Sequence, residues 1–275
     1  ITYVLNEEVD EDVPMSMEIL DNTGKVVYSE FTDAPKSECD QYRKKQLKRS
    51  AGANTFTWNM RVGEFDCIKE LAMTNPDLSA YDAAPGQYKV RFKVGDFIQT
   101  QDFEIKIHPK IEKTIPNAAA AYREAEQLAA SILEGAEEMS EGVRTLRQAK
   151  RQLDFIMEVA DSPQIKESGS ALREEIDTWI AKILQKELRT SQNNYQFEAR
   201  LLVKFKDFLS VLSNGNVPVT AGTKEVAKDY LQEWRGVERE LQAIKTQDIP
   251  AFNKLLSEAG LPKIYLPEEK VSGRP

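Results

Sequence analysis

The side chains best suited to chemistry in this chain are one histidine and two cysteines, and their small number limits the possible mechanisms. His108 is the only histidine among 275 residues, so a two-histidine metal site and a paired-imidazole mechanism are excluded. It precedes Pro109 at the end of a strand-like segment, and we interpret it as a domain-junction residue. Cys39 and Cys67 either form one disulfide or stay unbonded, because sequence separation does not decide between the two.

Carboxylates are plentiful, but their spacing does not predict a site. The acidic run "NEEVDEDVP", from Asn6 to Pro14, lacks the spacing of a calcium loop and is interpreted as a solvated turn. The pairs Glu137-Glu138 and Glu174-Glu175 fall in helical charge runs, whereas glycoside hydrolysis needs two acids facing each other across a cleft. Neither a GxxxxGK phosphate loop nor a GxSxG nucleophile elbow is present. We therefore predict no catalytic, cofactor-binding or metal-ligating residues, and no cofactor.

The overall charge argues against a nucleic-acid partner. The net charge is -8, whereas phosphate binding depends on clustered Lys and Arg. The one basic cluster, Arg43-Lys44-Lys45 with Lys48-Arg49, is interpreted as part of a solvated loop. No apolar run approaches the roughly 18 to 20 residues that cross a bilayer. The first residues, "ITYVLNEEV", lack the features of a signal peptide, and their strand-like start without Met suggests a piece of a longer polypeptide.

Residues 1–109 carry the period-two pattern of β-strands. In "QYKVRFKV" the apolar residues Tyr88, Val90, Phe92 and Val94 alternate with polar ones, and Gly95-Asp96 follows as a tight turn before "FIQTQDFEIKI". This pattern predicts a hairpin. With the other strand-like segments it predicts about six or seven strands in an antiparallel immunoglobulin-like β-sandwich.

The stretch "ANTFTWNMR", residues 53–61, is predicted to be one of these strands. Strand alternation puts Phe56 and Trp58 on one face, in line with Asn54 and Met60. Trp58 is then a large core residue, and Arg61 is expected to pair with an acid in the following loop or in an adjoining domain. Residues 62–83 show no sustained period and predict a long connection, with one helical turn at most.

Residues 110–266 carry a helical pattern instead. Apolar residues at three- and four-residue steps predict one helix of about 40 residues from Pro116, and further helices over about 163–188, 195–212 and 222–246. Asp248 is expected to cap a short final helix. This pattern predicts an up-and-down antiparallel four-helix bundle, followed by a flexible tail at 267–275. Gly135, Gly142 and Ala149 lie seven apart, which predicts a neighbouring backbone packed closely there.

Several segments together resemble the C-terminal region of bacterial BNR-repeat proteins, which are sortilin-like β-propellers often called glycosyl hydrolases. They include "AGANTFTWNMR", "APGQYKVRFKVGDFIQTQDFEIKIHP" and "DIPAFNKLLSEAGLPKI". The first half is also similar to the immunoglobulin-like domain of the flagellar hook-capping family. Trp58-Asn59 and Pro85-Gly86-Gln87-Tyr88 match that pattern, with Gln in place of Thr. Trp58, Asn59, Met60 and Arg61 stand where the propeller family has Trp, an acid or amide, a hydrophobic residue and Arg.

The resemblance implies a missing N-terminal β-propeller in the same polypeptide and an exported or cell-envelope location. Any hydrolase activity would then belong to the propeller. We expect a non-catalytic accessory or scaffolding region, with Trp58, Arg61, Pro85, Gly86 and Tyr88 in structural roles. It would mediate domain packing or protein–protein assembly, including self-association through the bundle. The alternatives are a carbohydrate-binding module of a glycoside hydrolase and a hydrolase that uses paired carboxylates.

Overall fold

The computed structural model describes residues 1–32, 47–66, 68–69, 78–185, 187, 196–213 and 217–267. Within these ranges the chain is of mixed β and α class, with strands up to residue 105 and helices after it. The strands are β1 (Thr2–Leu5), β2 (Met15–Leu20), β3 (Val26–Phe31), β4 (Gly52–Thr55), β5 (Arg61–Glu64), β6 (Ser79–Asp82), β7 (Gly86–Val94) and β8 (Phe97–Ile105).

All strand pairings in the described residues are antiparallel. A four-stranded sheet has the order β3-β2-β7-β8, and two further pairs join β1 with β4 and β5 with β6. The predicted β7–β8 hairpin is confirmed, because Val94 lies opposite Phe97 across the two-residue turn Gly95-Asp96. Gly95 has a φ of 51°, which suits glycine at the first central position of such a turn.

The core of the strand region lies around β2. Met15, Met17 and Ile19 are all buried, and they pack with Phe56 and Tyr88 in two adjoining clusters. The intervening residues of β2 are buried as well. The polar side chains on the second face of such a strand, Glu18 among them, therefore need hydrogen-bond or charge partners.

The prediction of one strand over residues 53–61 is wrong. β4 ends at Thr55, and β5 begins at Arg61. Met60 has a φ of 59° and is 55% exposed, so it does not follow Phe56 into the core. The Oδ1 atom of Asn59 accepts a hydrogen bond from the backbone N–H of Arg61 at 3.1 Å. Such a local side-chain bond gives the backbone an alternative to the strand ladder.

The region expected to be a long connection, 62–83, contains parts of two short strands. β5 and β6 pair with Arg61 opposite Asp82. Gly63, in β5, has a φ of 69°, and a Cβ atom there would lie 2.7 Å from Cδ2 of Leu133. The position therefore requires glycine. The expected helical turn has no counterpart in the described part of this region, and residues 70–77 lie outside it.

The helices follow in chain order after β8. They are α1 (Pro109–Thr114), α2 (Ala118–Val159), α3 (Pro163–Ile183), α4 (Leu201–Leu212), α5 (Ala221–Ala243) and α6 (Ile249–Glu258). The 42-residue α2 confirms the predicted long helix. Two predicted boundaries are wrong: α3 ends about five residues early because Leu184 is extended, and α4 begins only at Leu201.

The predicted helix cap at Asp248 is also wrong. Asp248 has helical backbone angles and makes no side-chain capping bond, and residues Ile244–Asp248 form a π-helical turn that joins α5 to α6. The N–H of Ile249 bonds to the carbonyl of Ile244, five residues back. Pro250 has no N–H to donate, so the wider turn carries the helix past the proline instead of ending it.

The helical glycines make room for side chains, whereas we expected a neighbouring backbone. A Cβ atom on Gly135 would lie 2.8 Å from Cε1 of Phe205, and one on Gly142 would lie 2.8 Å from atoms of both Leu241 and Trp179. Large buried side chains thus occupy the space that the glycines leave, and the cost of glycine in a helix is offset by their packing.

Contacts divide the chain into two compact units. The first takes its described residues from 1–69, 78–133 and 208–223, and the second takes them from 134–207 and 224–267. The grouping follows packing, so the first turns of α2 and the end of α4 group with the strands. The domain boundary expected at residue 109 does not coincide with this grouping and stays a prediction.

Candidate functional site

Trp58, Arg61 and Tyr88 come together in the first unit. The indole Nε1 of Trp58 donates to the carbonyl of Arg61 at 2.8 Å. The Trp58 ring is half-buried, and its centroid lies 6.0 Å from those of both Tyr88 and Phe103 in edge-on geometry. Such edge-on aromatic pairs are favourable beyond the area they bury. The indole ring therefore fixes the turn before β5 against the four-stranded sheet.

Arg61 forms an ion pair with an acid on the neighbouring strand. Its Nε lies 3.5 Å from Oδ1 of Asp82, directly opposite on β6, and its Nη2 donates to the carbonyl of Ala80 at 3.5 Å. Burial raises the pKa of Asp82, and the nearby guanidinium offsets only part of that rise. The expected acid partner thus comes from the paired strand. Because the Asp82 side chain is 46% exposed, this ion pair contributes little to stability.

The chain bends at Ala84 and Pro85, just before β7 begins at Gly86, and the Tyr88 side chain bonds back to this bend. The Tyr88 hydroxyl donates to the carbonyl of Ala84 at 2.7 Å, and Oε1 of Glu126 on α2 accepts from the N–H of Ala84 at 3.3 Å. Both polar groups of the Ala84 peptide units are satisfied at this bend. The Tyr88 hydroxyl thus bonds to the backbone four residues upstream, just before β7 begins.

Two groups at this bend have shifted pKa values. Burial, together with the nearby charges of Glu126 and Asp21, raises the pKa of Tyr88 to about 12. Burial also raises the pKa of Glu126 above its ordinary value. Tyr88 is therefore a neutral donor at physiological pH. Its proton is held by a backbone carbonyl, which suits a structural tie and not acid–base chemistry.

A buried acid, Glu18, lies at the centre of the four-stranded sheet. Its Oε2 lies 2.5 Å from Nε of Arg91, directly opposite on β7, and 3.1 Å from Nζ of Lys93. Burial acts to raise the pKa of Glu18, but the hydrogen bonds and charges of Arg91 and Lys93 together lower it below its ordinary value. Glu18 is thus an ionised cross-strand tie.

The other side chains considered for chemistry have local partners or lie outside the described residues. Nδ1 of His108 accepts from the N–H of Lys110 at 3.2 Å, so the histidine caps α1. Arg49 donates to the carbonyls of Asp10, Glu11 and Val13, which fixes the backbone of the acidic run. Cys39, Cys67 and Arg43-Lys44-Lys45 lie outside the described residues, as does most of the proposed tail.

The two carboxylate pairs stay apart in the second unit. Glu138 accepts from Nε1 of Trp234 at 2.7 Å, whereas Glu174 and Glu175 lie on the exposed side of α3. No group of three His, Cys, Asp or Glu side chains suited to a metal ion occurs among the described residues. In the same ranges, no helix is long and apolar enough to cross a membrane.

β8 presents an open edge at the end of the four-stranded sheet. Within the described residues it pairs only with β7. Phe97 is 58% and Ile98 is 59% exposed, and the next four residues are also exposed.

Because the residues that flank a two-residue turn form a hydrogen-bonded pair, the odd-numbered residues from Phe97 to Ile105 bond to β7. The N–H and C=O groups of the residues between them, Ile98, Thr100, Asp102 and Glu104, therefore point to the open side.

The two edges of this sheet differ. The pairing of β3 with β2 shifts register between Ile19 and Leu20, whereas the pairing of β8 with β7 is regular over nine residues. Bulges, Lys and Pro are the usual devices that prevent an edge strand from pairing with another chain. β8 contains neither Lys nor Pro, and its charged residues are Asp102 and Glu104, so its edge is suited to a strand that places no acid opposite these two.

No family model, curated protein or solved structure matches the chain. The resemblance to BNR-repeat and hook-capping proteins therefore stays a prediction that depends on its motif residues.

Sequence reasoning missed Glu18, Glu126 and the open edge as features of interest. Glu18 gives one signal, because an acid in an apolar strand can be matched with the basic face of "KVRFKV". Glu126 gives none, since its role depends on where α2 meets the bend at Ala84. The edge has the required composition in its sequence, but strand order is needed to recognise it as an edge.

Proposed function

We propose that this chain is a non-catalytic accessory or scaffolding region of a larger exported β-propeller protein, and that it acts by protein–protein assembly. The observation that carries the proposal is the regular, exposed edge of β8, which begins with Phe97 and Ile98. Exposed edges recognise another strand through main-chain hydrogen bonds. The link to a propeller and to export depends on the resemblance of the motif residues.

We further propose an immunoglobulin-like sandwich for the strand region and a four-helix bundle for the helices. The hydrogen bond from the Tyr88 hydroxyl to the carbonyl of Ala84 supports the sandwich. A Tyr hydroxyl bonded to the backbone a few residues upstream is also found in the tyrosine corner of immunoglobulin-like sandwiches. In the second unit, α2 is bonded to α3 by Lys150 and Asp177, and α3 to α5 by Lys182 and Glu240. α4 is paired with α5 by Lys204 and Glu233. These inter-helix pairs suit a bundle core formed by the facing apolar stripes.

The bonding of Glu18 and Glu126 supports a non-catalytic role. Glu18 is bonded to Arg91 and Lys93 on one strand pair, and Glu126 is bonded to the backbone of Ala84. Glu18 thereby links β2 to β7, and Glu126 links α2 to the chain before β7. A hydrolytic pair would instead require two carboxyl groups facing a common cleft, one acting as acid and the other as base or nucleophile.

The test combines an activity screen with an association measurement on the full chain. We expect no turnover of glycoside or peptide substrates and no binding to a glycan panel at millimolar ligand. We also expect measurable association of the full chain with another protein chain. The double change Phe97→Ser with Ile98→Thr should weaken that association. Phe155→Ser, which changes an exposed apolar residue of α2, is the matched control and should not affect association. Turnover that is lost on Asp82→Asn or Glu18→Gln in a folded variant would overturn the proposal, as would association insensitive to the β8 changes.

A further inference from the structure

We propose that the partner of the β8 edge is the β8 edge of a second copy of this chain. The two strands would pair antiparallel about a twofold axis and join two four-stranded sheets into one of eight strands. This inference rests on the proposed assembly function and names the partner. Three features of β8 support this inference: the edge is exposed, its outward backbone groups alternate along the strand, and its charges are placed to match a second copy.

Twofold symmetry restricts the register. An axis perpendicular to the sheet keeps each face continuous, so residues of the same parity lie opposite each other. The outward N–H and C=O groups belong to even-numbered residues, so these must form the hydrogen-bonded pairs. Three central registers satisfy both conditions: those with Thr100, Gln101 or Asp102 on the axis.

Charge selects one of the three. With Thr100 on the axis, Asp96 would face the second copy's Glu104, and with Asp102 on the axis two aspartates would face each other. Like charges directly opposite are destabilising. With Gln101 on the axis, Asp96 faces Lys106, and both are exposed. The strand is therefore complementary to itself in this register alone among the three.

The apolar residues agree with this register. Phe97 would lie opposite Ile105 of the second copy, at both ends of the paired segment. Thr100 would lie opposite Asp102, and Ile98 opposite Glu104, so no acid faces another acid. The twofold axis makes each of the last two pairings occur twice, and these four pairs would exchange hydrogen bonds through the outward groups of Ile98, Thr100, Asp102 and Glu104. The exposed Phe97, which lies opposite Val94 within its own chain, would gain a second cross-strand neighbour.

Lys106 and Asp96 of the same chain cannot form an ion pair with each other. They stand at opposite ends of β8, ten residues apart, which is about 33 Å in an extended strand. A charge effect that links these two residues would therefore have to arise between two copies.

The first experiment measures mass by sedimentation velocity over a range of concentrations. We expect a concentration-dependent dimer that Thr100→Pro abolishes, because proline removes an outward N–H that β7 does not use. Lys106→Glu should weaken the dimer several-fold, and adding Asp96→Lys to it should restore the association. Circular dichroism melting checks that each variant is folded, and the charge variants keep the test valid if the proline variant does not fold.

The second experiment tests the register by cysteine cross-linking, with Cys39 and Cys67 replaced by Ser. Gln101→Cys should form an intermolecular disulfide under mild oxidation, since residues opposite each other in a non-hydrogen-bonded pair have Cα atoms about 4.5 Å apart. Gln99→Cys is the matched control: its two copies would be about 14 Å apart. Equal cross-linking of both would overturn the register.

The outcomes separate this inference from the proposed function. A dimer that loses association with Thr100→Pro and cross-links through Gln101→Cys supports both. A chain that stays monomeric at high concentration overturns the self-pairing. If that monomer still binds the upstream part of its polypeptide and loses binding with Thr100→Pro, the assembly function stands without self-pairing.

Discussion

Two carboxyl groups, those of the buried Glu18 and the half-buried Glu126, have opposite electrostatic environments. Glu18 lies beside Arg91 and Lys93, which favour its ionised form, whereas Glu126 receives only a backbone N–H. Their pKa values are therefore shifted in opposite directions, downward for Glu18 and upward for Glu126. The same conservative change to glutamine should consequently have opposite effects on stability.

Glu18→Gln should lower the free energy of unfolding by about 1.5 to 3 kcal/mol at pH 7, since a buried hydrogen bond to charged groups is lost. The lowered pKa means that the stabilisation is present above the ordinary value of 4.5 and disappears as the pH falls through the folded value. Urea unfolding at several pH values measures this effect. The exposed Glu7→Gln should change stability by no more than about 0.5 kcal/mol, and an equal loss in both variants would contradict the role of Glu18.

Glu126→Gln should stabilise the chain at pH 7. With a raised pKa, the folded chain binds more protons than the unfolded chain, so the contribution of Glu126 to stability falls as the pH rises through 4.5 towards the folded value. Glutamine stays neutral and retains an oxygen for the N–H of Ala84. The midpoint of thermal unfolding should rise at pH 7 and match that of the unchanged chain well below pH 4.5. A gain of equal size at both pH values would show that burial of charge is not the cause.

At the scale of elements, the glycines of α2 are explained by the side chains that fill their positions. Gly142→Ala adds a Cβ atom at 2.8 Å from both Trp179 and Leu241. The resulting overpacking should cost about 1 to 3 kcal/mol, more than the gain of up to about 1 kcal/mol in helix propensity.

The matched control for this change is Gly236→Ala in α5, where a Cβ atom would meet nothing within 4 Å. It should stabilise the chain by about 0.5 to 1 kcal/mol, because only the propensity changes. Thermal unfolding of the two variants should therefore shift in opposite directions. A stabilised Gly142→Ala would contradict the tight packing of Trp179 against α2.

Regular periodicity accounts for the elements that the sequence predicts well. The hairpin of β7 and β8 and the 42-residue α2 each repeat one pattern over many residues. β5 and β6 have four residues each, and Gly63 interrupts the first, so no period develops. The π-helical turn at Ile244–Asp248 was missed because Pro250 usually signals a break, whereas here the helix widens around it.

The candidate site was only partly accessible from the sequence. The sequence predicts structural roles for Trp58 and Tyr88, whose rings lie together, but Asp82 as the partner of Arg61 depends on the strand pairing. Likewise, Glu126 meets Ala84 from a helix 42 residues further along the chain. Such long-range contacts leave no local pattern in the sequence.

The assembly proposed for the whole molecule requires the β8 edge to pair with another strand. Amide hydrogen exchange measured residue by residue by NMR tests it most directly, because the amides of β8 alternate between the two sides. At low concentration, Gln99 and Gln101 should be protected, and Thr100 and Asp102 should exchange freely. At high concentration, Thr100 and Asp102 should become protected as well. Free exchange of Thr100 and Asp102 at every concentration, alone or with the upstream polypeptide, would contradict the claim.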